Sequence, residues 1–418
     1  MSALPRLFTL SAPTPAELEE RTRAFIARPD DAHAESGHRY RRVVVAAGPA
    51  AAARRLDAGK PAEVFTAKAG PPRPLVLMFP GVGDQYPGMA AGLHRHLPVF
   101  RRELDRCLGI LEPTLGTDLH GVLYGDSPAG EGPSLAALFD RGHATQEIHR
   151  TRVAQPLAFA VQYALARSLL SLIPAPAALL GHSVGEYVAA CLSGVLTLED
   201  ALRVVAARAE LVSALPEGAM LAVMAAPGPE LDGYLDDGLS IASLDGPAHT
   251  VLAGPAATVE EAGRRLMDEG VAVRRLATTH AFHSPMMEPA AAPLRAALSD
   301  VPRRRPAIPF LSNVTGTWIT DEEAADPAYW SRHLCRTIRF ADELTALWRL
   351  DRPIPIEAGP GNALTNLALR HPGHGDLVLR TVPGPYESRT DLETFLTTLG
   401  ILWATGHDIA PEGPSWAT

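Results

Sequence analysis

Two apolar runs set the frame of this chain. LVLMF (75–79) ends in Pro80-Gly81-Val82-Gly83, and the stretch PAALLGHSVGEYVAACLSG (176–194) passes through Gly181 and Gly185 into helical spacing. Each reads as a buried strand that feeds a tight glycine turn. LEDALRVVAARAELVSAL (198–215) has the spacing of a long amphipathic helix. Upstream, PAELEERTRAFIAR (15–28) predicts a helix after a Thr/Pro start, YRRVVVAAG (40–48) a strand, and PAAAARRLDAGK (49–60) a second helix. AKAGPPRP (67–74) is a breaker-rich boundary.

The rhythm changes between 217 and 280. AMLAVMAA, LSIASLDG, AHTVLAGP and VAVRRLAT read as strands, with GPELDGYLDD and ATVEEAGRRLMDEG as helices. The order βαββαβ predicts a ferredoxin-like unit inserted into a larger α/β body. The body resumes with a helix near 285–298, strands at IPFLSN (308–313) and IPIEAG (354–359), and a helix around 340–350. The expected division is a preface over 1–72, a large α/β subdomain over 73–215 and 283–405, a small subdomain over 216–282, and a loosely held Pro/Gly-rich tail over 406–418. No internal repeat or low-complexity tract interrupts it.

Composition narrows the classes. The chain has 418 residues, 46% hydrophobic and 20% charged, with a net charge of −9. That content supports a sizeable core and argues against nucleic acid as the main partner, which needs a basic face. Cys107, Cys191 and Cys335 form no CxxC pattern, so neither a zinc site nor a disulfide framework is expected. No long uninterrupted apolar stretch and no secretory signal pattern is present, which predicts a cytoplasmic protein without a membrane span.

Gly181-His182-Ser183-Val184-Gly185 fits G-x-S-x-G. A strand that turns at once into a helix strains the serine, and only small neighbours avoid collision. The hydroxyl then stands at a helix N-terminus, where free N–H groups favour developing negative charge. A nucleophilic serine needs a base. Among 15 histidines, His280 and His283 in THAFHSPMMEP (279–289) stand at an element boundary. Arg208 interrupts an apolar helix face; it is either a solvated arginine or a guanidinium fork for a carboxylate. The loop Gly81-Val82-Gly83-Asp84-Gln85 could offer backbone N–H groups to an oxyanion or a phosphate, but is neither a Walker A loop nor G-x-G-x-x-G.

Together these segments resemble the acyltransferase domains of modular type I polyketide synthases and the related malonyl-CoA:acyl-carrier-protein transacylases. The resemblance rests on FPGVGDQYPGM (79–89), AQPLAFAVQYALA (154–166), GHSVGEYVAA (181–190), ALRVVAARAEL (201–211), HAFHSPMMEP (280–289), LSNVTG (311–316) and EAGPGNALTNLALR (357–370), in the family's order. LFTLSAPTPAELEER, near the start, looks like the family's ketosynthase-to-acyltransferase linker. The implied fold is α/β: a hydrolase-like parallel-sheet large subdomain with an inserted ferredoxin-like small subdomain, preceded by an α/β linker domain.

The resemblance implies a ping-pong cycle. Ser183 attacks an acyl-CoA thioester, and His283 takes and returns the proton. The backbone N–H groups of Val82 and Val184 hold the oxyanion. Arg208 pairs with the free carboxylate of a malonyl-type group, with Gln155, Phe282 and His280 also at the substrate. The phosphopantetheine thiol of an acyl carrier protein then accepts the acyl group. No cofactor or metal is bound; malonyl-CoA or a related acyl-CoA, a carrier protein and a ketosynthase of the same assembly are the implied partners. HAFH resembles the malonyl-selecting signature, Phe282 filling the space of an α-methyl branch, and Val184 agrees with it. The alternatives are methylmalonyl or another acyl donor.

The chain departs from the family in three places. GVGDQ stands for the usual GQGSQ. RHL (332–334) replaces Arg-Asn-Leu or Arg-Gln-Leu, with the carbonyl of His333 expected to orient His283. ASLDGP carries Asp245 where asparagine is common. Two other enzyme readings compete. A serine hydrolase would need an acid for its histidine, for which Asp236, Asp237, Asp245 and Asp268 are available. A variant that clears stalled acyl groups from carriers would be expected to lose Arg208. A non-catalytic docking module would not need Ser183, His283 and Arg208 intact. For docking of an acidic carrier, Arg303, Arg304 and Arg305 form a candidate patch.

Overall fold

The computed structural model describes residues 4–29, 37–125, 147–236 and 238–409. Three sheets organise them.

The first sheet joins β1 (Arg6–Ala12), β2 (Tyr40–Ala46) and β3 (Val64–Lys68), all antiparallel with β2 central. Helices Pro15–Ala27 and Pro49–Ala58 start on prolines, where a missing N–H costs nothing. Their apolar faces meet Val44 and Ala46 through Phe25, Ala52, Ala53 and Leu56. β1 and β3 carry no sequence signal of their own; pairing with the central β2 makes them strands. Helix Asp391–Thr405 lies against this sheet, and at Gly400 it comes so close that a Cβ would stand 2.7 Å from Leu7. Arg41 donates to the Trp403 carbonyl at 2.6 Å and stacks over its ring.

The second sheet is parallel, in the order β10 (Phe310–Leu311), β5 (Ala178–Gly181), β4 (Leu75–Phe79), β11 (Ile354–Glu357), β12 (Leu379–Arg380). LVLMF reads as a continuous apolar run because both of its faces are covered. Leu75, Leu77 and Phe79 face the core built by helices Pro98–Leu115, Thr151–Leu170 and Leu198–Ser213. Val76 and Met78 face helices Phe340–Leu347 and Ala363–Arg370.

The third sheet holds β6 (Ala219–Val223), β7 (Ser240–Gly246), β8 (His249–Gly254) and β9 (Val273–Arg275), antiparallel in the order β7-β8-β6-β9. With helices Pro229–Asp236 and Ala256–Asp268 this is the expected ferredoxin-like arrangement. Its edge strand β7 is tied to the large body: Leu244 N–H donates to the Ile338 carbonyl at 2.8 Å and Ile338 N–H to Ala242 at 2.9 Å. That tie follows directly on helix Pro327–Cys335.

The start of the expected loose tail is held in place. His407 is buried, and its Nε2 lies 2.9 Å from the Arg73 carbonyl. Residues 410–418 lie outside the described residues. No helix among the described residues is long and apolar enough to cross a membrane, and the three cysteines are free.

Candidate functional site

Ser183 sits on the corner between β5 and helix Val184–Leu192, with φ 55° and ψ −119°. Both flanking glycines are required by close approach. A Cβ at Gly185 would fall inside the Phe79 carbonyl, and one at Gly181 would fall into the Gly185–Glu186 peptide. The strand and helix can meet this tightly only without side chains there. The strain at Ser183 is thereby held by the packing around it.

Four non-glycine residues with positive φ occur among the described residues, and His283, at φ 57°, is another of them. It lies on the turn that leaves the small sheet. Ser284 fixes that turn, donating to the Ala281 carbonyl at 2.6 Å and capping the 3-10 turn Pro285–Met287. His283 Nε2 stands 2.7 Å from Ser183 Oγ. Its Nδ1 faces two carbonyl oxygens, His333 at 3.1 Å and Arg336 at 3.2 Å. Two acceptors at Nδ1 put the proton there and leave Nε2 with a lone pair toward the serine. Burial, together with the nearby His333, Arg208 and His182, holds the imidazole well below its ordinary value, so the ring is neutral at neutral pH. The pair is therefore a serine with its base already unprotonated.

Two glycine corners stand next to the serine and could offer N–H groups to an oxyanion. Val184 is the first residue of its helix, and its N–H has no partner among the described residues. Gly81 packs against the elbow, where a Cβ would lie 3.4 Å from Ser183 Cβ and 3.2 Å from His182 Nδ1. Val82 is the residue that follows this close approach. The loop is held by Gln85, which accepts from Gly83 N–H at 2.6 Å, and by Gln162, which donates to the Pro80 carbonyl at 2.8 Å.

Arg208 projects from helix Leu198–Ser213 and is 1% exposed. Its Nη1 donates to Gln155 Oε1 of the neighbouring helix. Its Nε and Nη2, and Gln155 Nε2, have no hydrogen-bond partner among the described residues. Tyr187 and Phe282 stand with ring centroids 5.9 Å from the guanidinium carbon. No carboxylate among the described residues pairs with this cation. Burial lowers its pKa, but an arginine keeps its charge. His280, also buried, turns Nδ1 to Thr151 Oγ1 at 2.9 Å and Thr279 Oγ1 at 3.0 Å. Burial lowers the His280 pKa. Of the two histidines left open by the sequence, His283 reaches the serine and His280 meets Phe282, 6.3 Å away between ring centroids.

Among the described residues, no acid of the kind the hydrolase reading requires is paired with His283; carbonyl oxygens face its Nδ1. Asp245 is bound to His182 at 3.1 Å and His249 at 3.4 Å instead. Burial works against its charge, yet the hydrogen bond with His182, the nearby His249 and the Ser243 hydroxyl hold the carboxyl below the usual carboxylate range. Asp237 lies outside the described residues. The arginine run is partly spent on its own fold: Arg303 donates to the Ala325 carbonyl at 2.8 Å and Val301 at 2.5 Å, and Arg305 pairs with Asp321 at 3.3 Å.

The support beneath the elbow escaped the sequence reading. Asn313, after β10, accepts from Ser183 N–H at 2.7 Å and donates to the Gly181 carbonyl at 2.5 Å. Its own N–H donates to Glu186 Oε2 at 2.8 Å, and Tyr329 donates to the other oxygen of Glu186. A signal for Glu186 existed: it is a lone charge in the apolar helix VGEYVAACL, and it is fully buried. No cluster of metal-ligating side chains occurs among the described residues.

The acyl transferase domain family model matches residues 76–408. A phenolphthiocerol/phthiocerol polyketide synthase polypeptide of Mycobacterium tuberculosis is 37% identical over 345 residues, covering 82% of this chain and 22% of the relative. The chain thus spans about a fifth of that protein. Among solved structures, the acyl transferase domain of SpnD in complex with 2-(pent-4-yn-1-yl)malonyl superposes with a TM-score of 0.82 at 33% identity, covering 97% of both chains. The malonyl-CoA:acyl carrier protein transacylase of Xanthomonas oryzae gives a TM-score of 0.62 at 26% identity, covering 74% of this chain and 94% of the other.

Proposed function

This chain belongs to the acyl transferase domain family and is an acyltransferase, and on that premise we propose that it transfers a malonyl-type unit from CoA to the phosphopantetheine thiol of an acyl carrier protein. Ser183 Oγ attacks the thioester carbonyl while His283 Nε2 takes its proton. The negative charge on the carbonyl oxygen is met by the N–H groups of Val184 and Val82. Collapse breaks the carbon–sulfur bond, and His283 returns the proton to the departing CoA thiol. The acyl group rests on Ser183 as an ester. The carrier's thiol then loses its proton to His283 and attacks the ester. Collapse returns the proton to Ser183 and releases the acyl thioester.

Arg208 is the observation that carries the choice of acyl group. A buried cation with two unpartnered nitrogens is costly unless something anionic fills the space beside it. A carboxylate reaching Nη2 and Nε would form a bidentate pair and relieve that cost. Acetyl has no such group. Phe282, packed near Arg208, supports malonyl over a branched relative, because it fills room that an α-methyl would need. One methyl is worth only about 1–3 kcal/mol in such discrimination. The SpnD acyl transferase domain was solved with 2-(pent-4-yn-1-yl)malonyl, a malonyl branched at its second carbon, which agrees with a dicarboxylic donor and does not bear on the choice against a branch.

We read residues 1–72 as the linker unit, 73–215 and 283–405 as the large subdomain, and 216–282 as the small one, with carrier and ketosynthase as partners within a polyketide assembly. The test is intact-protein mass spectrometry after brief incubation with malonyl-, methylmalonyl- and acetyl-CoA together, beside Ser183→Ala. A malonyl adduct absent from the variant is expected. A dominant methylmalonyl adduct would overturn the reading of Phe282. Release of CoA without an adduct would favour hydrolysis.

A further inference from the structure

His333 touches both halves of the Ser–His pair. Its backbone carbonyl accepts from His283 Nδ1 at 3.1 Å. Its side-chain Nε2 lies 3.2 Å from Asn313 Oδ1, the oxygen that accepts from Ser183 N–H. The orientation of Asn313 is fixed, since its Nδ2 donates to the Gly181 carbonyl and to Glu343 Oε1 at 3.0 Å. Its Oδ1 is therefore an acceptor, and His333 Nε2 must be the donor; Glu186 Oε2, 3.4 Å away, is a second acceptor for the same proton. The bonds close a circuit: Ser183 N–H, Asn313, the His333 ring, the His333 carbonyl, His283, Ser183 Oγ.

We propose that the His333 side chain is a positioning residue that locks the nucleophile elbow to the general base. The carbonyl alone would orient His283 but would leave Asn313, and so the strained backbone of Ser183, free of the base's own support. Any residue supplies the carbonyl; only a donor of the right reach supplies the second bond. The ring is fully buried, stands edge-on to Tyr187 and to His283, and its Nδ1 has no partner. Its environment thus serves Nε2 alone. Facing His283 from the surrounding elements are His333, Arg208, His182, Ser183 and the carbonyl of Arg336; facing His333 are Glu186, Asn313, Tyr187, Tyr329 and Trp330.

This inference rests on Ser183 and His283 acting as nucleophile and base, not on the acyl donor. Its test uses a fluorophosphonate probe, which labels an activated serine whatever the natural substrate. Labelling rates of wild type, His333→Leu and His333→Gln are measured across pH, with thermal melting as the check on folding. Absence of labelling in the wild type would sink the nucleophile assignment itself, separately from His333. With the wild type labelled, His333→Leu is expected to react about tenfold more slowly, the weight of one buried hydrogen bond. His333→Gln, whose amide can still donate to Asn313, should recover most of that rate. Wild-type rates in His333→Leu, or an equal loss in both folded variants, would overturn the proposal. Should His333→Leu fail to fold, His333→Met, of similar reach but without a donor, takes its place with the same two outcomes.

Discussion

Arg208 donates a hydrogen bond to Gln155 through Nη1, and its Nε and Nη2 have no hydrogen-bond partner among the described residues in a fully buried setting. The two residues come from adjacent helices, so the fork is aimed before any substrate arrives. Replacing it with alanine should lower kcat/KM for malonyl-CoA by about 10²- to 10³-fold, the range expected when one partner of a buried charged pair is removed. Acetyl-CoA, with no carboxylate, should lose far less. Parallel kinetics with the two donors would check this, and an equal loss for both would argue that Arg208 only supports the fold.

The pH dependence of acylation should follow the neutral His283. Burial, with His333, Arg208 and His182 nearby, holds its pKa well below 6.5. The rate should therefore stay flat through neutral pH and fall only when the pH drops far enough to protonate the buried ring. The same depression adds to stability above pH 6.5 and withdraws that contribution as the pH falls from 6.5 toward the folded-state pKa. A pH–rate profile for malonyl-CoA with its acid limb centred at 6.5 or above would contradict this.

Gly185 tests the elbow independently of chemistry. An added methyl would collide with the Phe79 carbonyl, a backbone atom in the middle of the parallel sheet that cannot swing aside. Gly185→Ala should cost about 3 kcal/mol, the upper end for overpacking, and lower activity with it. Denaturant melts beside the wild type measure the cost.

Glu357 makes a prediction of opposite sign to His283. It accepts from Leu364 N–H, Thr365 N–H and the Thr365 hydroxyl, yet burial outweighs these bonds and pushes its carboxyl up to about 7. A carboxyl raised in the folded state contributes stability below its ordinary 4.5 and loses it as the pH climbs through 7. Glu357→Gln cannot ionise, so its melting temperature should change less between pH 4.5 and 7 than that of the wild type. Parallel pH dependences would show that Glu357 is already ionised across that range.

The sequence by itself determined the elements with strong periods and the groups that carry the chemistry. LVLMF had to be a covered strand, and GHSVG had to be a strained corner, because local sterics and hydrophobic period act over a few residues. The βαββαβ order of the small unit was legible for the same reason. Residue pattern left His280 and His283 level at one boundary, and the family resemblance pointed to His283; the path of the turn is what sends that ring to Ser183. Only the tertiary structure decided that Arg208 is buried without a counter-ion rather than solvated, a matter of which helices cover it. The edge strands β1 and β3 exist through pairing with β2, a contact no local pattern announces. Asn313, Glu186 and the His333 ring lie up to 147 residues apart in the chain and meet beneath the elbow because β5 and β10 are neighbours in the sheet and helix Pro327–Cys335 packs beside them. Long-range hydrogen bonds of this kind depend on three-dimensional distance, and the linear order of residues does not contain it.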